Sequence, residues 1–293
     1  MAKGYVIYNP LAGNGNAEND AKLLQMVLDE ELEYYDMTRI TNYTAFLSGM
    51  EKDDYLVIVG GDGTLNRFVN DTNGIEIPQE IVYSPSGSGN DFARDVGING
   101  NPAVITQCLK NLPSVEVNGK RYRFINGVGF GIDGYCCQVG DELKKMPGKK
   151  VNYTDIAIKG LLFHFRARNA KVTVDGKEYD YKKVWIAPTM HGRYYGSGMV
   201  PAPEQDRSSG KLSLMLFYGA GRLRTLCVFP FIFKGTHVKH TNMVAVHTGH
   251  QITVEFDRAT PLQIDGETIL DVTKYTASSA ACNMNITKEK VCC

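Results

Sequence analysis

The chain of 293 residues is 43% hydrophobic and 22% charged, and its formal net charge is zero. Such a composition belongs to an ordinary globular protein, excludes nucleic-acid binding through a global basic field, and at this length favours two domains over one. The seven cysteines are scattered with no paired framework, as expected of reduced thiols in a cytosol. The longest apolar runs, such as 226–233, fall far short of the roughly 20 residues a spanning helix needs. Met1 to Pro10 reads as a strand and not as a signal peptide. The expectation is a cytoplasmic protein that does not cross a membrane.

Strand and helix signals alternate through the first part of the chain. Tyr5 to Asn9 is a short strand, and the loop from Pro10 to Asn16 holds Gly13 and Gly15. Ala21, Leu24, Leu28 and Leu32 recur at helical spacing. A strand at about Tyr35 to Thr38 and a short helix from Thr44 to Met50 follow. Tyr55-Leu56-Val57-Ile58-Val59 is an apolar, β-branched run of the kind that forms a buried strand. Gly60, Gly61 and Gly63 then let the backbone turn sharply and approach a ligand with no Cβ in the way. Thr64 to Val69 begins a helix whose first N–H groups point back at that turn, so strand, glycine loop and helix start form a ready anion site.

Asp62 sharpens that reading. A carboxylate repels bare phosphate, so its presence suits phosphate accompanied by Mg²⁺, or a hydroxyl about to attack phosphate. The plain alternative, a tight strand-to-helix connection, needs neither these glycines nor the acid. No Gly-Lys-Ser/Thr follows, so this is not a Walker A loop. The chemistry it suggests is phosphoryl transfer from a nucleotide.

Next come a strand at Glu80 to Tyr83, the small-residue loop Ser84-Pro85-Ser86-Gly87-Ser88-Gly89-Asn90-Asp91, and a helix from Pro102 to Leu112. Alternating strands and helices imply a mainly parallel sheet with ligand loops at the strand C-termini, where 9–15, 60–64 and 86–91 all fall. From about Val115 the pattern changes. Asn118-Gly119 and Asp175-Gly176 each sit between alternating strands, a strong hairpin signal. Further strands are expected at Val184–Ala187, Leu212–Phe217, Gln251–Phe256 and Leu262–Ile264, with one clear helix at 153–165. The domains expected are 1–114 and 115–278, with the tail 279–293 packing back on the first.

Gly60-Gly61-Asp62-Gly63-Thr64-Leu65-Asn66, Ser86-Gly87-Ser88-Gly89-Asn90-Asp91-Phe92-Ala93-Arg94 and Asp265-Gly266-Glu267 together resemble the diacylglycerol kinase catalytic-domain family. That family includes soluble bacterial lipid kinases and sphingosine kinases and is distantly related to NAD kinases. The likeness runs in order from Asn9-Pro10 to the Asp-Gly-Glu. It implies a doubly wound, mainly parallel α/β nucleotide domain followed by an antiparallel β-sandwich. It also implies ATP as co-substrate with Mg²⁺, and a lipid alcohol such as diacylglycerol as acceptor. The protein would be cytoplasmic, visiting the membrane surface transiently, with no nucleic-acid partner.

On that resemblance Asn9, Pro10, Gly13 and Gly15 match the first nucleotide loop, and Thr38 falls where the family has a nucleotide-contacting threonine. Gly60, Gly61, Asp62, Gly63, Thr64 and Asn66 would hold the phosphates. Gly87, Ser88 and Asn90 form the second loop, with Ser88 where a threonine is common. Asn90 and Asp91 also suit simple helix capping. A lipid hydroxyl has a pKa far above 7, so a carboxylate must take its proton as the new bond forms. Glu267 is the choice for that base and Asp265 its partner or a metal-facing group. Asp62 is the rival base and otherwise helps organise Mg²⁺.

One departure concerns metal. After Tyr195-Gly196-Ser197-Gly198-Met199 the family commonly has Asp-Gly-x-Leu, whose aspartate helps order a magnesium–water network. Here the segment reads Ser209-Gly210-Lys211-Leu212, with Asp206 three residues earlier. The rival readings are an NAD kinase, which shares the Gly-Gly-Asp-Gly-Thr loop, and a relative that binds nucleotide or lipid without catalysis. The apolar and basic stretch Tyr153–Arg166 reads as a helix packed on the β-domain with solvated charges. Its sharper alternative is a face resting on anionic lipid.

Overall fold

Leu56, Val57, Ile58 and Val59 are completely buried, as expected of a strand covered on both faces. They belong to the central strand of the first of two sheets in the computed structural model. The structure describes residues 2–10, 17–26, 31–146 and 151–280. Gly13, Gly15, Leu28 and the tail beyond Ala280 lie outside the described residues. The chain divides into two units, Met1–Leu112 and Pro113–Cys293.

In the first unit β1 (Gly4–Tyr8), α1 (Ala17–Leu23), β2 (Leu32–Asp36), α2 (Tyr43–Ser48), β3 (Tyr55–Gly60), α3 (Asp62–Asp71), β4 (Glu80–Pro85), α4 (Asp91–Val96), β5 (Ala103–Val104) and α5 (Thr106–Lys110) follow one another. The sheet order is β2-β1-β3-β4-β5, parallel except for the β4–β5 pair. The chain winds outward in both directions from β1 and β3. Ala21 of α1 and Leu24 cover Val6, Val57 and Val59 on one face. On the other, Tyr5 meets Phe46 of α2, and Tyr43 of α2 meets Phe68 of α3. The switch point between β1 and β3, at their C-terminal ends, is where such sheets bind ligands.

Two expectations for this unit need correction. Leu32 is not a helical position: it opens β2, paired in parallel with Gly4. The segment 102–112 is not one helix. Ile105 N donates to Ile81 O, and Ile81 N donates to Thr106 Oγ1 at 2.8 Å. These bonds extend the sheet first and leave only Thr106–Lys110 helical.

The second unit is antiparallel. Its strands are β6 (Ser114–Val117), β7 (Lys120–Arg123), β8 (Gly127–Phe130), β9 (Arg168–Val174), β10 (Lys177–Val184), β11 (Thr189–Met190), β12 (Leu212–Phe217), β13 (Val244–Gly249), β14 (Gln251–Ile264) and β15 (Glu267–Ser278). Three hairpins share one turn. Asn118/Gly119, Asp175/Gly176 and Asp265/Gly266 have φ of 49/72°, 47/84° and 47/97°, left-handed at both positions as the tightest hairpins require. The separate strands expected at 251–256 and 262–264 are one bulged strand, β14. Its first half pairs with β9 and its last residues with β8. The strand expected at 184–187 ends at Val184, beyond which Ile186 only bridges Gly131 and Phe217. Phe130 stacks on Phe256 at 4.1 Å and meets Tyr275 edge-on within the buried core.

Helices cover part of this sheet: α6 (Ile132–Lys144), α7 (Tyr153–Lys159) continued by a π turn at Gly160–His164, and α8 (Arg222–Val228) continued by a 3₁₀ turn at Phe229–Lys234. The helix at 153–165 is therefore not the only clear one, and its second half is π-helical. Gly160 opens that turn and packs where a Cβ would meet the Tyr135 ring at 2.7 Å. Among the described residues no helix is long and apolar enough to cross a membrane.

Candidate active site

The parallel register of the first unit brings its loops to one edge. Tyr8 stands beside Asp36 and Val59, and Gly60 beside Pro85. Asn9 and Pro10, Thr38, the 60–64 loop and the 86–90 loop therefore leave the sheet at the same end. Thr38 closes the turn after β2, where its N–H and hydroxyl both donate to Asp36 Oδ1 at 2.8 and 2.7 Å.

The two glycine loops touch backbone to backbone. A Cβ on Gly87 would lie 2.4 Å from the Gly61 Cα, and a Cβ on Gly60 would strike the Thr64 side chain. Gly60 O accepts the Ser86 N–H and the Tyr83 hydroxyl, each at 3.0 Å. Gly63, in contrast, is exposed with open space at its Cβ position. Thr64 Oγ1 is buried and has no partner among the described residues. Asn66 is buried one turn further on, with Asn70 Nδ2 donating to its Oδ1 at 3.3 Å.

Asp62 ties the two loops together. Its Oδ2 accepts the Asp91 N–H at 2.9 Å and its Oδ1 the Phe92 N–H at 2.8 Å. A carboxylate in the first turn of α3 thus caps α4 from 29 and 30 residues away, satisfying N–H groups that a helix start leaves without intrahelical partners. Capping by Asn90 is not seen. Asn90 is left-handed with φ 49° and caps nothing; its Oδ1 accepts the Gly87 N–H at 2.9 Å and so shapes the loop itself. Ser88 is exposed beside it.

The Asp265-Gly266-Glu267 turn of the second unit is anchored as firmly. Asp265 Oδ1 accepts the N–H groups of Asn126 and Gly127 at 2.8 and 2.9 Å, and Oδ2 accepts that of Ile125. Gly266 N donates to Gln263 Oε1 at 2.7 Å. Arg207 holds the same 125–127 segment from its other side, donating to Ile125 O and, at 2.7 Å, to Asn126 Oδ1. Glu267, next along the turn, is exposed.

Asp133 and Arg207 are polar groups near this turn to which the sequence assigns no role, and Tyr195 enters only as the start of the 195–199 turn. Tyr195 Oη donates to Asp133 Oδ2 at 2.8 Å, both residues being buried. A Cβ on Gly129 would lie 2.5 Å from both Asp133 Oδ2 and Gln263 Nε2, so the carboxylate and the turn's glutamine flank one glycine. Burial pushes the Asp133 carboxyl up to about 7, against the lowering effect of the Tyr195 hydroxyl. Burial, then Asp133, raises the Tyr195 phenol. A signal was available: Gly127-Val-Gly129-Phe-Gly131-Ile-Asp133-Gly134 repeats the strand–glycine–acid–helix pattern of residues 55–63.

The residues present do not fit the family's resident magnesium–water network. Ser209 Oγ donates to Asp206 O at 2.7 Å, and Asp206 accepts the Ser208 N–H and hydroxyl within its own turn. That Ser208 contact lowers the Asp206 carboxyl. Asp206 is thus engaged within its own exposed turn, and Ser209 carries no charge. Among the described residues no group of three or more His, Cys, Asp or Glu could hold a metal ion.

A mainly parallel sheet with paired glycine loops at its C-terminal edge, followed by a unit built on an antiparallel sheet, defines a two-unit fold with a phosphate-binding edge. Residues 3–118 match the diacylglycerol kinase catalytic domain, and residues 126–281 match the YegS C-terminal NAD kinase beta sandwich-like domain. Residues 3–118 thus belong to the diacylglycerol kinase catalytic-domain family, and the chain continues with the YegS-type C-terminal domain. It is similar to a diacylglycerol kinase of Mycobacterium tuberculosis (strain ATCC 25618 / H37Rv), 29% identical over 225 residues that cover 71% of this chain and 72% of the relative. It is also similar to a diacylglycerol kinase of Bacillus subtilis (strain 168), 26% identical with coverage of 91% and 90%. The fold matches the crystal structure of a diacylglycerol kinase from Bacillus anthracis str. Sterne with a TM-score of 0.60 at 19% identity, covering 95% of this chain and 93% of that one.

Proposed function

We propose that this protein is an ATP- and Mg²⁺-dependent lipid kinase that transfers the γ-phosphoryl group to a primary hydroxyl of diacylglycerol or a similar lipid. The observation that carries the reading is the Asp62 tie. Two glycine loops are pressed together at the C-terminal edge of a parallel sheet, and a carboxylate fixes their spacing by capping the helix that follows the second. That arrangement suits a chain of phosphates gripped by backbone N–H groups, with Asn9, Pro10 and Thr38 on the same edge for the rest of the nucleotide. The buried, unpartnered Thr64 hydroxyl belongs to this cradle.

The acceptor hydroxyl needs a base, and Glu267 is assigned that role. Its carboxylate takes the hydroxyl proton as the new O–P bond forms, and the bond from the γ-phosphorus to the bridging oxygen breaks to release ADP. Mg²⁺ bound with ATP would offset charge on the phosphate oxygens. Asp265 is a positioning residue, because its carboxylate is engaged with three backbone N–H groups. The two bonds from Asp62 to α4 likewise favour Glu267 over Asp62 as the base.

The test is transfer of label from ATP, with Mg²⁺, to a total lipid extract in mixed micelles, with NAD as the competing acceptor. A labelled lipid with a phosphate monoester at a primary carbon is the expected product, and its identity names the substrate. Label on NAD alone would replace the reading with an NAD kinase. Bound ATP with no transfer to either acceptor would leave a binding protein.

A further inference from the structure

Gln205 stands at the centre of a ring of backbone oxygens. It is buried and precedes the turn that carries Asp206, Arg207 and Ser209. Its Nε2 donates to Lys211 O at 2.9 Å and to Asp206 O and His191 O, each at 3.2 Å. Its Oε1 accepts the Ser213 hydroxyl at 2.6 Å. The ring fixes which end of the amide is which, because a flipped amide would set an oxygen against carbonyls that cannot donate. An amide nitrogen has two protons, and here it meets three acceptors. One proton goes to Lys211 O, the shortest contact, and the other is shared between Asp206 O and His191 O.

Oxygens aimed at one point are what a hard cation collects, and such sites gain their affinity from carboxylates in the ring. Here the ring closes on a neutral amide. Asp206 O also accepts the Ser209 hydroxyl, and Gly210 O faces His250 Nδ1 at 3.1 Å. The Asp206 carboxylate turns to Ser208. A cation entering the ring would have to displace the Gln205 amide and would meet the neutral carbonyls of His191, Asp206 and Lys211, which offset its dehydration poorly. What the ring supports gives it weight. His191 N and Gly192 N donate to Asn126 O, and Arg207, two residues after Gln205, donates to Ile125 O and Asn126 Oδ1. Asp265 collects the N–H groups of that same 125–127 segment. Gln205 thus braces the segment on which the Asp265-Gly266-Glu267 turn is anchored.

We propose that the Gln205 amide takes the place of a resident divalent cation in this chain, drawing His191, Asp206 and Lys211 together so that the turn binds neither Mg²⁺ nor Ca²⁺. The inference goes beyond the lipid-kinase reading, which calls only on the Mg²⁺ that accompanies ATP.

The experiment is thermal unfolding of the full chain without nucleotide, joined to metal analysis after dialysis without chelator. Less than about 0.1 Mg²⁺ or Ca²⁺ per chain should remain. Melting in EDTA and in about 5 mM Mg²⁺ or Ca²⁺ should agree within about 1 °C, since a cation stabilises only a fold that binds it. Gln205→Ala takes the donor from three carbonyls and should lower melting by about 5 °C. Gln205→Glu sets a carboxylate oxygen among them and should melt lower by a similar amount in EDTA. That variant supplies the anionic ligand a cation site needs, so Mg²⁺ or Ca²⁺ should raise its melting by about 5 °C and leave Gln205→Ala unmoved. One cation retained per wild-type chain, or a wild-type rise of that size, overturns the proposal. So does wild-type melting of Gln205→Ala in EDTA, or a folded Gln205→Glu indifferent to both cations. Should Gln205→Glu not fold, the wild-type and Gln205→Ala results decide. Label transfer to lipid tests the kinase separately. A retained cation beside active transfer removes only this inference, and no transfer to any lipid leaves it standing.

Discussion

Asp175-Gly176-Lys177 and Asp265-Gly266-Glu267 are the same hairpin turn put to different uses. Their aspartates share φ of 47°, and in both the carboxylate collects backbone N–H groups from another segment. Asp175 takes those of His250 and Gln251 where β14 begins, at 2.9 and 2.8 Å, on an exposed edge. Asp265 takes those of Ile125, Asn126 and Gly127, a segment that Arg207 grips from its other side. The lesson is that the turn signature says nothing about chemistry by itself. What differs is the segment the aspartate organises and the residue after the glycine, which is Lys120 and Lys177 in two hairpins and Glu267 in the third.

Glu267→Lys is the sharpest way to break that comparison, because it makes the third turn a copy of the others. The turn should form as before, since Glu267 is exposed and the anchoring bonds belong to Asp265 and Gly266. Turnover should fall about 10³-fold, the loss expected when a general base becomes a cation. Lys177→Glu should change neither turnover nor melting temperature. Steady-state kinetics on both folded variants decides it, and near-normal turnover in Glu267→Lys would take that residue out of the mechanism.

Removing the aspartates comes next. Asp265→Ala strips an ionic acceptor from three N–H groups and should cost about 3–4 kcal/mol in denaturant unfolding, whereas Asp175→Ala on its solvated edge should cost about 1 kcal/mol or less. Similar losses from the two would mean that the two turns are equivalent after all. Asp62→Asn keeps one accepting oxygen for α4, turns the other into an amide donor facing an N–H, and loses the charge. It should cost about 1–3 kcal/mol in unfolding and turn over about 10²-fold more slowly. Unchanged turnover in this variant would confine Asp62 to capping.

How much of this was legible in the sequence varied with the physics. The hairpins at Asn118, Asp175 and Asp265 were readable because a left-handed pair of residues leaves few choices beside Asn-Gly and Asp-Gly. The glycine loops were readable because Gly61 and Gly87 approach each other with no room for a Cβ. Helix α6 was not, since its glycines argue against a helix by local propensity. Those glycines answer to packing: a Cβ on Gly134 would lie 1.8 Å from Pro261 O, and one on Gly140 would strike the Tyr153 ring. The reach of Asp62 to α4 and the meeting of Asp133 with Tyr195, 62 residues apart, are products of the fold. No local pattern encodes those meetings, so sequence named Asp62 but not the tie it makes, and the repeated glycine–acid pattern around Asp133 marked the residue without its partner Tyr195.

At Asp133 the expected effect falls on the pH dependence of stability and not on turnover. Its carboxyl is pushed by burial to about 7 from an ordinary 3.8, so the folded state holds the proton that the unfolded state has released. Below about pH 4 both states are protonated and the group costs nothing. As pH rises toward 7 the unfolded state ionises first, and stability falls until the folded carboxyl ionises too. His237 works in the opposite direction. Burial lowers it to about 4 from 6.5, so over that interval the unfolded state binds the extra proton and stability rises with pH. The two slopes overlap, and the wild-type profile alone does not separate them. Asp133→Asn does, because an amide still offers the Tyr195 hydroxyl an acceptor but does not titrate. The variant should gain a few degrees of melting temperature relative to wild type between about pH 4 and pH 7, with the gain levelling off above that. A difference that stays constant across the window would mean that Asp133 does not hold its proton in the folded protein.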